Sequence, residues 1–327
     1  MDLVTLWFVV VAFFWTGYLV LEGFDFGVGM LAPYAGRDAA GRSAALRTIG
    51  PVWDGNEVWL VVAVGATFAA FPRWYATMFS AYYLPMLLVL LALIARGVAL
   101  EFRGKLDSAR WRRWCDRALV VGSAVPAVAW GAVFATLVRG LSLTADGTFT
   151  GATAASGYAV AALGGAASGA LFLLHGATFL ALRTTGDVRA RAVHVARLLG
   201  PVATAVVAGL LAYVQIRRGD TVTAGLAAGA VVALLLASVL VRRGRDAWAF
   251  AGTAAGVALT FVTVFAALFP DAVPSSLDPA WSLTVDAAAA QAYALRTMSV
   301  VAAVFAPLVL AYQAWSYWVF RRRVAAP

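Results

Sequence analysis

Trp53-Asp54-Gly55-Asn56-Glu57-Val58-Trp59 places two carboxylates and the chain's only asparagine at the head of a long apolar run. An ionisable side chain beside hydrocarbon costs roughly 2.5–3.5 kcal/mol on insertion scales, so such residues are usually paired, hydrated or functional. The preceding apolar run holds a second acidic pair, Glu22 and Asp25. The apolar runs set the fold class, and the four carboxylates set the functional question.

Working outward, the 327 residues are 63% hydrophobic and 13% charged. A soluble domain carries about 25% charged residues, so the composition reads as an all-α polytopic membrane protein. Cys115 is the one cysteine, which excludes an internal disulfide or a Cys-x-x-Cys metal site. The net charge of +9 does not read as nucleic-acid binding, because the cations lie in short loops between apolar runs. The N-terminus lacks a basic region and its first apolar run is too long for a signal peptide, so the first helix is expected to remain in the mature protein.

A crossing helix needs about 20 mostly apolar residues. Segments near 5–31, 52–71, 77–100, 118–138, 158–182, 198–216, 222–241, 247–268 and 294–319 meet that requirement, which gives nine expected spans. One set of loops carries Arg37, Arg42, Arg47, Arg103, Lys105, Arg110, Arg112, Arg113, Arg117, Arg183, Arg189, Arg191, Arg197, Arg242, Arg243, Arg245 and Arg321 to Arg323. The opposite loops carry Arg73, Arg139, Arg217 and Arg218. By the positive-inside rule the N-terminus is outside and the C-terminus cytoplasmic. The stretch 270–293, with Pro270, Pro274 and Pro279, is expected to be an irregular external loop. The remaining aromatic side chains are expected mostly to face lipid or the interfacial belt.

This orientation gathers Glu22, Asp25, Asp54, Asn56, Glu57, Arg96, Glu101 and His175 at or just inside the cytoplasmic side. Glu22 and Asp25 are three residues apart, as are Asp54 and Glu57, so each pair shares a helix face. Two carboxylates so close cannot both carry charge cheaply in a low dielectric unless a cation such as Arg96 compensates. A proton or water path fits this placement. Helix capping by Asp54 and Glu57 fits as well, as does a structural pairing of Glu22 and Asp25 with Arg96. His175 reads as an interhelical hydrogen-bonding histidine or as a ligand, and Glu101 with Arg103 as an interfacial ion pair. Gly23, Gly27 and Gly29 mimic part of a dinucleotide fingerprint, but within a spanning helix and with no preceding strand they read as close helix packing. His175 and His194 are the only histidines and form no evident axial pair, and no Walker loop, nucleophile elbow or zinc motif appears. The chain is not expected to hold a redox centre or hydrolytic site alone.

Several segments resemble subunit II of the cytochrome bd-type quinol oxidases. They are Gly23-Phe24-Asp25-Phe26-Gly27-Val28-Gly29-Met30, the run Pro51 to Leu60, Ala69-Ala70-Phe71-Pro72, Arg96 to Arg103, Trp111 to Trp114 in the following loop, and His175 to Leu180. The match is dense over the first 115 residues or so and looser afterwards. It implies two four-helix bundles, here 1–138 and 139–268, followed by an external loop and a peripheral ninth helix in 269–327. It also implies a haem-free partner of subunit I in a bacterial cytoplasmic (inner) membrane oxidase. Subunit I would carry two haem b and one haem d, membrane quinol would be the electron donor, and dioxygen would be reduced to water. Lipid and small accessory membrane subunits would be further partners. The family's proposed proton route falls on Asp54 and Asp25, with Glu57, Glu22 and His175 supporting and Asn56, Trp53, Trp59, Arg96 and Glu101 around them. Trp59 would border a dioxygen route. Glu57 stands where many relatives have Gln. Two rival classes remain at this stage: a proton-coupled secondary transporter, which would work alone, and a purely structural scaffold subunit.

Overall fold

The computed structural model describes residues 2–151 and 155–325. The chain is almost wholly helical: α1 (Leu3–Ala35), α2 (Ala39–Arg47), α3 (Trp53–Ala70), α4 (Pro72–Ala81), α5 (Tyr83–Phe102), α6 (Ala109–Arg139), α7 (Ala155–Arg183), α8 (Gly186–Arg218), α9 (Thr221–Arg242), α10 (Asp246–Leu268), α11 (Val285–Ala288) and α12 (Ala292–Val319). Among the described residues, eight helices are long and apolar enough to cross a membrane. α3, expected as the second of nine spans, has 18 residues, and its first turns hold Asp54, Asn56 and Glu57.

Several expectations are corrected. The 77–100 run is broken at Tyr82, whose φ of −106° and ψ of 26° separate α4 from α5. Pro85 has no N–H to offer the turn before it, so a continuous helix would lose a backbone bond there. Trp111 to Trp114 lie in the first turns of α6, capped by Ser108, instead of in a loop. The 270–293 stretch is ordered: β1 (Asp271–Val273) pairs antiparallel with β2 (Leu283–Thr284), followed by α11. The nearby loop after α6 joins it through Leu141 N donating to Pro274 O at 2.9 Å and Ser276 N to Leu141 O at 2.8 Å.

The aromatic residues are less peripheral than expected. Trp15, Tyr18, Phe24, Phe26, Phe71, Trp74, Trp130 and Phe172 are all fully buried. Trp15 meets Trp130 edge-on at 5.1 Å, and Trp130 donates to the Tyr18 hydroxyl at 3.1 Å. Such edge-on pairs add to the packing, and the Trp130–Tyr18 bond pairs the polar tips of two buried rings.

α1 is the axis of the molecule, packing against α3, α6, α7, α10 and α12. Helix association in a membrane relies on close van der Waals packing, so small residues mark the contacts. A Cβ at Gly27 would overlap the Phe172 carbonyl oxygen and lie 2.7 Å from Gly176 Cα. Gly23 faces the Phe172 ring and Gly29 faces Ser123. All three glycines therefore serve helix packing.

Polar contacts fix which helix ends meet. At one end Trp7 donates to Leu295 O and Ser299 Oγ, and Trp15 donates to Thr67 Oγ1. The start of α1 thus meets the start of α12, and the end of α3 lies alongside. At the other end the last third of α1 meets the start of α3, the end of α5 and the end of α12. From Trp7 to Asp25, α1 rises about 27 Å, close to the thickness of a hydrocarbon core.

Candidate functional site

The site is built where those helix ends converge. Arg96, near the end of α5, is completely buried. Its Nη1 lies 2.5 Å from Glu22 Oε1 and 2.7 Å from Glu57 Oε1, so one guanidinium joins carboxylates from α1 and α3. Its Cζ also sits 5.3 Å from the centre of the Phe26 ring. Gly122 on α6 makes room for it, since a Cβ there would come within 2.8 Å of Arg96 Cβ. Glu22 and Asp25 are fully buried, whereas the Glu57 side chain keeps 25% of its exposure.

Asn56 completes the arrangement and uses all four positions of its carboxamide. Its Nδ2 donates to Asp25 Oδ2 at 2.6 Å and to Leu21 O at 3.4 Å. Its Oδ1 accepts from Tyr317 Oη at 2.8 Å and from Gln313 Nε2 at 3.1 Å, both on α12. Asp25 Oδ1, Arg96 Nε and Nη2, and Ser123 Oγ are buried without a hydrogen-bond partner. Both Glu22 oxygens likewise receive no well-aligned hydrogen bond, so Glu22 is held by proximity to the Arg96 charge. Buried polar groups are normally paired, so the unpaired atoms of Asp25 and Arg96 stand out among the described residues.

The other candidate residues sort differently. Asp54 is exposed and makes no hydrogen bond, and α3 starts at Trp53 with Val52 as its N-cap and no side-chain cap bond, so Asp54 does not cap by hydrogen bonding, although it sits in the first turn, where an acid complements the helix dipole. Trp53 packs against Gly97, and Trp59 seats its ring on Gly17 beside Phe13 and Phe14. His175 is fully buried but lies outside the carboxylate array. Its Nδ1 contacts Thr253 Oγ1 at 2.8 Å, its Nε2 contacts Val20 O at 3.1 Å, and its ring stacks on Phe250. Glu101 does not pair with Arg103. It lies 3.9 Å from Lys105, and Arg103 instead donates to Asp116 at 2.7 Å, across the turn between α5 and α6.

Axial haem ligation needs an open ring nitrogen. His175 has both ring nitrogens engaged in hydrogen bonds, so it does not fit that role. Among the described residues no cluster of three His, Cys, Asp or Glu is arranged to hold a metal ion.

Sequence reading missed Gln313 and Tyr317. The signal lay in their i, i+4 spacing, which sets two hydrogen-bonding side chains on one face of an otherwise apolar helix. It also missed Asp246, which takes Arg189 at 2.9 Å and Arg323 at 3.0 Å and so ties the C-terminal tail to α10.

Comparison with known proteins places this geometry in context. The family model described as cytochrome bd terminal oxidase subunit II matches residues 3–320. Cytochrome bd ubiquinol oxidase subunit 2 of Bacillus subtilis is 44% identical over 98% of this chain and 96% of its own length. Cytochrome bd-I ubiquinol oxidase subunit 2 of Escherichia coli is 33% identical over 96% and 93%. The bd oxidase structure from Geobacillus thermodenitrificans superposes with a TM-score of 0.76 at 17% identity, covering 98% of this chain and 99% of that one, which is a likeness of fold.

Proposed function

The chain belongs to the cytochrome bd terminal oxidase subunit II family, and from that premise we propose that it is the haem-free subunit that conducts protons from the cytoplasmic side toward a haem-bearing subunit I. As a member of that family it is a multi-pass protein of the bacterial cytoplasmic membrane and part of an oxidoreductase complex. In the proposed reaction two quinols give four electrons to one dioxygen, and four protons complete two waters. The chemistry at iron is assigned to subunit I, which would hold two haem b and one haem d, and this chain would hold and pass protons.

The observation that carries the reading is that three carboxyls, Glu22, Asp25 and Glu57, are gathered around one guanidinium, Arg96, at the arginine-rich end of the molecule. The charge of such a group depends on how many protons it holds, which is what a relay requires. Exposure falls along the array. Asp54 is open, Glu57 is partly open, and Glu22 and Asp25 are sealed. The basic-residue asymmetry supports a cytoplasmic entrance, with α3 counted as the second of nine crossings. A partner surface is supported by the α3 face that carries Asp54, Val58, Val61 and Phe68, all exposed. An acid on an otherwise hydrocarbon-facing stripe is better covered by subunit I than by lipid.

The scaffold reading takes support from the same Arg96 ion pairs, and one experiment separates the two. In the purified oxidase, Asp25→Asn is expected to lower quinol-driven oxygen consumption about tenfold or more, equivalent to ~1.4 kcal/mol or more of added barrier. The haem absorption spectrum and subunit content should be unchanged. Full turnover in a correctly assembled complex would refute the relay, and loss of assembly would favour the scaffold.

A further inference from the structure

α12 is an odd participant in a buried site. Only Leu295 of its 28 residues is buried, and most of its apolar side chains face outward. Apolar packing alone therefore does little to fix its register. Polar contacts do this at three levels. Trp7 bonds to Leu295 and Ser299 at its start, Gln313 and Tyr317 bond to Asn56 near its end, and Val324 N donates to Arg183 O at 2.7 Å just beyond it.

The middle contact has a chemical consequence. A carboxamide can present either its oxygen or its amino group to a neighbour, and its hydrogen-bond partners decide which. Gln313 and Tyr317 both donate to Asn56 Oδ1, which turns the Nδ2 amino group toward Asp25. Asp25 Oδ2 is thereby occupied as an acceptor, and Oδ1 is left as the oxygen without a partner. The titratable and charged groups around Asp25 are Glu22 on its own helix, Glu57 on α3, Arg96 on α5 and Tyr317 on α12.

We propose that α12 is a positioning element of the proton path, in which Gln313 and Tyr317 lock the Asn56 carboxamide so that Asp25 keeps Oδ1 as its proton-accepting atom. The proposal rests on the relay reading given above. Gln313 and Tyr317 are positioning residues, since they act through Asn56 and touch no reacting group. Without them the Asn56 oxygen can rotate toward Asp25, where it offers no donor to Oδ2 and competes for the proton.

The test uses the complete oxidase carrying Tyr317→Phe, Gln313→Leu, both together, or Asp25→Asn as the reference. Quinol-driven oxygen consumption is followed from mildly acid to alkaline pH, alongside haem content and thermal stability. The double variant should lose about tenfold in turnover at alkaline pH, where protons are scarce, and less than about twofold at acid pH, with the KM for quinol unchanged. A pH-independent loss that tracks falling thermal stability would overturn the proposal, because a simple tether behaves in that way. If Asp25→Asn is slow but the double variant is normal at every pH, the positioning role falls and the relay stands. If Asp25→Asn turns over normally, both fall. Tyr317→Phe removes a single hydroxyl and serves if the double variant fails to assemble. In that variant the infrared carboxyl band that Asp25→Asn abolishes should shift in frequency, and an unmoved band would overturn the assignment.

Discussion

Arg96 offers the sharpest perturbation. Replacing it with Met keeps a long apolar stem on α5 but removes the one cation between Glu22 and Glu57. Glu22 has no exposure and no other charged partner of opposite sign within ion-pairing distance, so it would be left as an isolated buried acid. Breaking a buried pair by deleting one partner typically costs about 3–5 kcal/mol. The Glu57 side of the pair adds less, because that side chain is 25% exposed and solvent offsets part of the loss, as with surface pairs worth about 0–1 kcal/mol. Arg96→Met is therefore expected to destabilise by about 3–5 kcal/mol, chiefly through Glu22, with a smaller share through Asp25, which is buried and also feels the Arg96 charge. Adding Glu22→Gln should recover most of that, because a neutral amide leaves no charge to strand. A residue of about 1–2 kcal/mol from lost contacts with Phe26 and the surrounding helices should remain. The assay is a double-mutant cycle on the purified complex, unfolded reversibly in mixed micelles by titration with dodecyl sulfate, with haem content recorded in parallel. If Arg96→Met costs less than about 1 kcal/mol, the ion pair is not what holds the array together. If Glu22→Gln fails to restore the double variant, the value of Arg96 lies in its bulk and not its charge.

Three further outcomes test other parts of the structure. Gly27→Ala should weaken or abolish assembly, since its Cβ meets the Phe172 backbone and overpacking costs about 1–3 kcal/mol or more; Gly225→Ala on α9, with nothing within 4 Å, should be neutral to slightly stabilising when both variants are compared by heat inactivation. His175→Phe keeps the stack on Phe250 but leaves Thr253 and the Val20 carbonyl without the ring nitrogens, a loss of about 1–3 kcal/mol. The haem content by pyridine haemochrome should stay constant, and loss of a haem from a stable variant would contradict the hydrogen-bonding role. The Asp220 carboxyl, which caps α9 through Thr223 N, is held below its ordinary value of 3.8 by that bond. A depressed carboxyl stabilises the fold above 3.8 and loses that contribution as pH falls toward its folded value. Asp220→Ala should accordingly lower thermal stability at neutral pH, and the difference from the parent should close in acid; a gap that persists unchanged in acid would assign the effect elsewhere.

The long apolar helices were legible because a hydrocarbon solvent imposes length and composition directly on the sequence. The helix ends that meet at the carboxylates followed from alternation of spans, and Glu22, Asp25, Asn56, Glu57 and Arg96 do lie together. What stayed hidden depends on rotation about helix axes and on distant pairings. Asp54 and Glu57 are one turn apart, yet one faces outward without a partner while the other turns to Arg96. Arg103 has Glu101 close in sequence and chooses Asp116, because the turn between α5 and α6 carries it there. No local rule joins Gln313 to Asn56 across 257 residues. Pro85 marks the break at Tyr82 in the sequence, but the hydropathy of the segment is continuous across it and masks it.

The way the charges are distributed explains why the array can exist beside hydrocarbon. Glu22 and Asp25 come from α1, Glu57 and Asn56 from α3, Arg96 from α5, and the two donors that set Asn56 from α12. No single helix carries its own compensation, so each of the four holds polar groups that only the others can satisfy. Assembly in any other register would leave a buried carboxylate or guanidinium unpaired, a penalty of several kcal/mol that apolar packing in lipid cannot replace. The array thus specifies helix register as well as chemistry. On the proposed relay, substitutions at its centre would disturb register and proton transfer together, whereas substitutions at its edge, at Tyr317 or Gln313, would change how a proton is held while leaving the central ion pairs in place. That is why the edge residues can separate a relay from a staple.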